Sequence, residues 1–210
     1  MLPEPQIARA FLGSAEALRI QPCGSGNIND TYLLTFQTPA GEEQQCILQR
    51  LNQRVFAQPN VVMHNIQAAA EHLQNTDYPL GILTPILTPD GNTLYQDAQQ
   101  NHWRAFPYFA QSYAPERLPT PDEAYEAARA YGLFLKALAS CPAETMQETI
   151  PYFHDPRHRW AAFEAAVERN LAGRVAQCKA EIARICEQQT TFEAIARLKE
   201  TGQLPVRIAH

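Results

Sequence analysis

The spacing of apolar residues changes twice along this chain. Ile7, Ala10 and Phe11 recur at helical intervals and Gly13 follows as a stop, so a short amphipathic helix opens it. From Leu18 to Leu51 the texture becomes that of strands. Leu18-Arg19-Ile20-Gln21, Thr31 to Phe36 and Cys46 to Leu51 predict an antiparallel meander, its connections marked by Gly24-Ser25-Gly26-Asn27 and Pro39-Ala40-Gly41-Glu42. Pro59 suits the first position of a helix whose Val62, Ile66, Ala69, Ala70 and Leu73 share one face, and Tyr78-Pro79 ends it. Leu94-Tyr95-Gln96, introduced by the turn signal Pro89-Asp90-Gly91-Asn92, pairs naturally with Trp103 to Phe109 as a hairpin, with Pro107 at an edge or at the strand's exit. Residues 1–110 therefore read as an α+β lobe.

The second change comes after residue 110, where the pattern turns helical to the end. Thr120 can cap a helix that begins at Pro121, with Glu123 placed to close a capping box. Tyr131, Phe134, Leu135 and Leu138 form its expected buried stripe, and Cys141-Pro142 ends it. After Asp155-Pro156 the residues Trp160, Phe163, Val167, Leu171, Val175, Cys178, Ile182 and Ile185 fall at steps of three and four, which predicts one long helix. That face needs a partner, so self-association through it is an expectation. Thr190 or Thr191 is the expected cap of a shorter helix that stops near Gly202, and Leu204 to His210 reads as the start of a strand.

Composition narrows the function classes. The chain has 210 residues, 45% of them apolar, and a formal net charge of -5 with both signs interspersed. Such a distribution offers no basic face for a phosphate backbone, so no nucleic-acid partner is expected. Five cysteines form an odd count with no C-x-x-C pair, which fits a reducing cytoplasm better than a disulfide framework or a zinc knuckle. No signal-peptide pattern opens the chain and no apolar run is long enough to span a bilayer, so no membrane partner is expected.

Four segments can carry chemistry. Gly24-Ser25-Gly26-Asn27-Ile28-Asn29-Asp30 lies between two strands, where glycines let backbone N–H groups approach a phosphate. Taken alone, a G-x-G of this kind is more often a plain hairpin turn, and without a following G-K-[ST] it is not a Walker loop. In Ile47-Leu48-Gln49-Arg50-Leu51 either Gln49 or Arg50 faces a cleft, since strand alternation sends them to opposite sides. Trp103 to Phe109 stands where a two-lobed protein would hinge, with backbone groups of Tyr108 and Phe109 available to an adenine edge; its alternative is an aromatic core strand. Phe153-His154-Asp155-Pro156-Arg157-His158-Arg159 gathers charges that can grip a polar substrate, or that cap a helix and face water. His154 and His158 have only Asp155 nearby as a third ligand, so no metal site is expected.

Taken in order, Gly24 to Tyr32, Ile47 to Phe56, Trp103 to Tyr108 and Phe153 to Arg157 resemble the aminoglycoside phosphotransferase and choline kinase superfamily, with N-acetylhexosamine 1-kinase as the nearest branch. The resemblance runs from about Leu18 to His210. It implies a protein-kinase-like α+β fold, with residues 1–110 as a nucleotide-binding lobe and 111–210 as part of a helical lobe on the substrate side. It implies ATP and Mg²⁺ as cofactors and a small-molecule sugar as acceptor. Gly24, Ser25, Gly26, Asn27, Ile28 and Asn29 would cover the phosphates, Gln49 or Arg50 would contact them, and Tyr108 and Phe109 would meet the adenine. His154, Asp155 and Arg157 are weaker candidates for the acceptor.

Arg207-Ile208-Ala209-His210 resembles the beginning of the family's catalytic loop, so the catalytic Asp and the metal ligands have no counterparts among these 210 residues. An N-terminal fragment inactive by itself is the expectation. A non-catalytic nucleotide-binding remnant, or a kinase of an aminoglycoside, choline-like or homoserine-like alcohol, are the alternatives. On the helix from Pro59, His64, Asn65 and Glu71 are the candidates for the acidic partner that the family supplies there, and the choice stays open.

Overall fold

The computed structural model describes residues 3–112, 117 and 120–208. They group by contact into two compact units, one reaching to Thr149 and including Ile208, the other Ile150–Arg207. His210, the expected start of a catalytic loop, lies outside the described residues.

The first unit is built on five antiparallel strands, β1 (Glu16–Pro22), β2 (Asp30–Gln37), β3 (Glu43–Arg50), β4 (Tyr95–Gln96) and β5 (His102–Pro107), in the order β1-β2-β3-β5-β4. Register decides which residues share a face. Thr31 pairs with Gln49 and Gln49 with Arg104; Tyr32 pairs with Leu48 and Leu48 with Ala105. Since successive side chains alternate, Tyr32, Leu34, Cys46, Leu48, Trp103 and Ala105 form one face, and Thr31, Leu33, Ile47, Gln49, Arg104 and Phe106 the other.

Helix α1 (Pro5–Leu12) covers the first of these faces, because Ile7, Ala8 and Phe11 are its apolar stripe and pack on Tyr32, Leu34, Cys46, Leu48, Trp103 and Ala105. Gly13 stops it at φ 60, as its position in the sequence predicts. Helix α2 (Pro59–Gln74) approaches the second face, where Met63 Sδ lies 3.7 Å from Arg104 Nη1. Pro59, Val62, Met63, Ala70 and Leu73 are its buried residues. Three of its polar side chains fasten it to later segments. His72 Nε2 is 3.2 Å from the Ala137 carbonyl, His64 Nε2 is 3.1 Å from that of Thr145, and Asn65 bonds both backbone groups of Gln147 at 2.8 and 3.1 Å.

Helix α3 (Pro121–Leu138) starts as the sequence predicts. Thr120 Oγ1 accepts from the Glu123 amide at 3.2 Å and donates to the Glu123 carboxylate at 3.0 Å. Removing this cap with Thr120→Ala lowers stability by about 0.5–2 kcal/mol, read as a lower denaturant midpoint at unchanged slope. The expected stripe is only partly buried. Leu138 is buried, whereas Tyr131 is exposed and stacks on Phe134, which meets Tyr78 edge-on.

In the second unit the single long helix expected from the period does not form. Helix α4 (Pro156–Arg169) stops at Asn170, which takes a left-handed φ of 42°; Gly173 follows at φ 65°, and Asn170 Oδ1 accepts from the Val175 amide. A new helix, α5 (Lys179–Cys186), then begins, and Leu171 stands 87% exposed between them. Asn170 and Gly173 are the two residue types that tolerate this conformation. Helix α6 (Gln189–Glu200) begins ahead of Thr190 and Thr191 with Gln188 as its cap, so neither threonine fills that role; Gly202 ends it at φ 70. Its Phe192 packs on Trp160 of α4, ring centres 5.6 Å apart. The expected strand from Leu204 has no pairing partner through Ile208, and extended backbone without a partner is not a strand.

Candidate functional site

Residues 23–29 join β1 to β2. The Cys23 amide donates to the Thr31 carbonyl at 2.9 Å, closing the base of the hairpin, and Gly24 takes φ 78. A Cβ at Gly24 or Gly26 would meet nothing within 4 Å, so the loop's backbone borders open space. Asn29 Oδ1 accepts from the Asn52 amide at 2.9 Å, tying the loop's far end to the chain beyond β3. Beside the loop lies a hollow of about 420 Å³ lined by Cys23, Gly24, Gly26, Asn29, Asp30 and Thr31, among others. Ser25, Asn27 and Ile28 are exposed along it.

The strand alternation left open at Gln49 and Arg50 is decided by the register. Arg50 lies on the α1 side and forms an ion pair with Asp30, its Nε 2.7 Å from Asp30 Oδ2. Both side chains are more than two-fifths exposed, so the pair contributes little: Asp30→Asn shifts stability by no more than about 1 kcal/mol, a change that 1 M salt should largely reproduce in the unmutated chain.

Gln49 lies on the α2 side. Its Nε2 donates to Thr31 Oγ1 at 2.8 Å, and its Oε1 accepts from Arg104 Nε at 2.9 Å and Nη2 at 2.6 Å. The Arg104 guanidinium also stands 5.1 Å from the centre of the Phe106 ring. Among the described residues no carboxylate pairs with it, and burial pulls its pKa down to about 10. His102, two residues earlier on the same strand face, has a buried Nδ1 with no hydrogen-bond partner among the described residues.

Arg104 is the residue that reading the sequence missed. One signal was present: a charge in the middle of an aromatic strand, immediately after Trp103. What it touches depends on β3 pairing with β5, which spans more than fifty residues and has no local signature. The α2 helix brings Met63 to Arg104, while His64 and Asn65 bond the 145–147 backbone and Glu71 is exposed.

Beyond β5, Phe109 is 44% exposed and its ring lies over Gly81, where a Cβ would come within 2.8 Å of it. Its carbonyl accepts from the Ser112 hydroxyl at 2.6 Å and the Ser112 amide at 3.3 Å, which closes a turn after the strand. Tyr108 is half-buried beside it.

The other charged candidates belong to the second unit. Asp155 caps α4, its Oδ1 accepting from the His158 amide at 2.7 Å, and Arg157 pairs with Glu193 and Glu200 of α6. His154 packs edge-on against Phe153, centres 4.7 Å apart, at an apolar hollow that Arg159, Phe192 and Ile195 also line. Among the described residues no three His, Cys, Asp or Glu side chains come together to hold a metal. No helix among the described residues is long and apolar enough to cross a membrane.

Comparison with known proteins places this geometry. The crystal structure of an aminoglycoside phosphotransferase from Alicyclobacillus acidocaldarius subsp. acidocaldarius DSM 446 superposes with a TM-score of 0.55 at 13% identity, over 92% of this chain and 54% of that one, which shows a shared fold. Spectinomycin phosphotransferase, solved in complex with ADP and spectinomycin, gives 0.49 at 14% identity, over 87% of this chain and 52% of that one. The chain thus spans about half the length of the solved structures it matches. Its five-stranded antiparallel sheet with helices is the α+β, protein-kinase-like architecture expected from the resemblance. The family model described as "Phosphotransferase enzyme family" matches residues 19–210, from within β1 and through the glycine loop, the Gln49–Arg104 contact and both units, and the chain accordingly belongs to that family.

Proposed function

We propose that this chain forms the nucleotide-binding part of an ATP-dependent kinase of small-molecule hydroxyls, residues 1–110 serving the nucleotide and 111–210 the acceptor side. The observation that carries the reading is the open glycine hairpin, whose unfilled backbone borders a hollow within a chain of the phosphotransferase family. ATP would supply the transferred phosphoryl group. Catalysis of that transfer is chiefly positioning and charge stabilisation. The amides of residues 24–29 approach phosphate oxygens, Gln49 stands beyond Thr31 at the edge of the hollow, and backbone groups of Tyr108 and Phe109 pair with the adenine edge.

The acceptor follows from the sequence resemblance: an N-acetylhexosamine, phosphorylated at its anomeric hydroxyl, ahead of aminoglycoside or choline-like alcohols. His154, Asp155 and Arg157 stay candidates for that side. A reducing cytoplasm suits both the donor and five unpaired cysteines.

Calorimetric titration with ADP tests the nucleotide reading. Gly24→Val forces a β-branched residue to φ 78 and reshapes the loop, so ADP affinity falls by about tenfold or more. Binding unchanged by that substitution would remove the glycine hairpin from the site. Thermal shifts on adding N-acetylglucosamine, spectinomycin or choline to the ADP-bound chain then rank the acceptors, and a stronger response to spectinomycin or choline overturns the hexosamine assignment.

A further inference from the structure

The resemblance looks for a phosphate-neutralising cation on β3, and β3 does not provide one on the face that α2 approaches. Gln49 occupies that face, and Arg50 points to the opposite side, where Asp30 takes its charge. The cation on the α2 face comes instead from the neighbouring strand. Arg104 of β5 stands directly across from Gln49 and directs two donors to its amide oxygen.

Arg104's environment is unusual for a structural arginine. A half-buried guanidinium normally finds a carboxylate, because desolvating the charge is costly without one. Here its described contacts are a neutral amide oxygen, a thioether sulfur at 3.7 Å and the face of Phe106. The sulfur is a weak acceptor, and five N–H groups on the guanidinium exceed what these partners can satisfy. Gln49 in turn holds Thr31, which lines the hollow beside the glycine loop, so a chain of side-chain contacts runs from the guanidinium to the hollow.

We propose that Arg104 is the cation that binds the phosphates of the nucleotide, delivered from β5 in place of a β3 cation, with Gln49 as the residue that positions it. The assignment rests on the nucleotide-binding reading above. An anion arriving beside Arg104 supplies the charge partner that the fold withholds. The planar fork of an arginine also suits two phosphate oxygens at once, which a lysine at the same place would not match.

Gln49→Glu separates this role from a merely structural one. It places a carboxylate on Arg104 within the same geometry, so thermal stability is held or raised, while affinity for ADP and for inorganic pyrophosphate falls by about 10- to 100-fold. Affinity for adenosine, which carries no phosphate, changes less than about twofold. Arg104→Met loses ADP and pyrophosphate binding to a similar extent, and Arg104→Lys recovers part of it.

Unchanged ADP affinity in a stabilised Gln49→Glu chain overturns the proposal, as does a parallel loss of ADP and adenosine binding. Should either variant fail to fold, the Nε–H resonance of Arg104 in the unmutated chain decides: it moves on addition of pyrophosphate, and a stationary resonance refutes the assignment. A chain that binds ADP normally while Arg104 does not respond leaves the nucleotide site standing and removes Arg104 alone. An unmutated chain that binds neither ADP nor pyrophosphate removes both.

Discussion

Leu48→Ala lowers the stability of the first unit by about 2–5 kcal/mol. Leu48 is fully buried at the centre of the face that α1 covers, among Ile7, Phe11, Tyr32, Trp103 and Ala105. Neighbours on two strands and a helix cannot all close in on the lost volume, so a cavity term adds to the lost transfer energy. The unfolding transition of the first unit is followed by Trp103 fluorescence in a Trp160→Phe background, since these are the two tryptophans of the chain. Leu171→Ala, at a residue 87% exposed, serves as the control and stays within about 0.5 kcal/mol. A Leu48→Ala midpoint as high as that control's would mean that the α1 face is not the core of the unit.

The second large effect is at Asp97, a buried carboxylate at the turn between β4 and β5. Its Oδ1 accepts from the amides of Gln99 and Asn101 at 2.9 and 2.8 Å, and its Oδ2 from Asn101 Nδ2 at 2.9 Å and Trp103 Nε1 at 2.8 Å. Burial pushes this carboxyl up, but the hydrogen bonds from Trp103, Asn101 and Gln99 together outweigh burial and hold it below its ordinary value. A folded-state pKa lower than the unfolded one stabilises the fold fully above the unfolded value of about 3.9. That contribution fades as the pH falls through the lower folded value.

Asp97→Asn therefore costs about 1.5–3 kcal/mol at neutral pH, because hydrogen bonds to a charged acceptor are lost and an NH₂ group meets donors. It also flattens the decline in stability below about pH 4. Denaturant midpoints from pH 7 down to pH 2.5 check both. An acid slope identical to that of the unmutated chain would show that another group carries the titration. The network matters for the site as well, since it pins Trp103, the residue immediately before Arg104.

Local signals in the sequence carried a large share of the fold. The strands around Tyr32, Leu48 and Trp103 were legible from alternation, and α1, α2 and α3 from apolar spacing with Gly13, Pro59 and Thr120 as punctuation. The glycine loop was legible because Gly24 needs the left-handed conformation it adopts. Where local reading failed, a competing local signal had been outvoted by a longer pattern. The three- and four-residue steps from Trp160 to Ile185 ran through Asn170 and Gly173, and there the backbone turned instead. Thr190 and Thr191 are the right type for caps, but α6 starts two or three residues earlier, with the Gln188 carbonyl accepting from the Thr191 and Phe192 amides.

The sequence by itself therefore determined the class of the fold, the place of the glycine loop and the family resemblance, because periodicity, turn chemistry and motif order are properties of neighbouring residues. Which of Gln49 and Arg50 shares the α2 face, and that Arg104 meets Gln49, were decided only by the tertiary structure. Strand register is a long-range property: β3 and β5 lie more than fifty residues apart, and a slip of one residue would send Gln49 and Arg104 to opposite faces of the sheet.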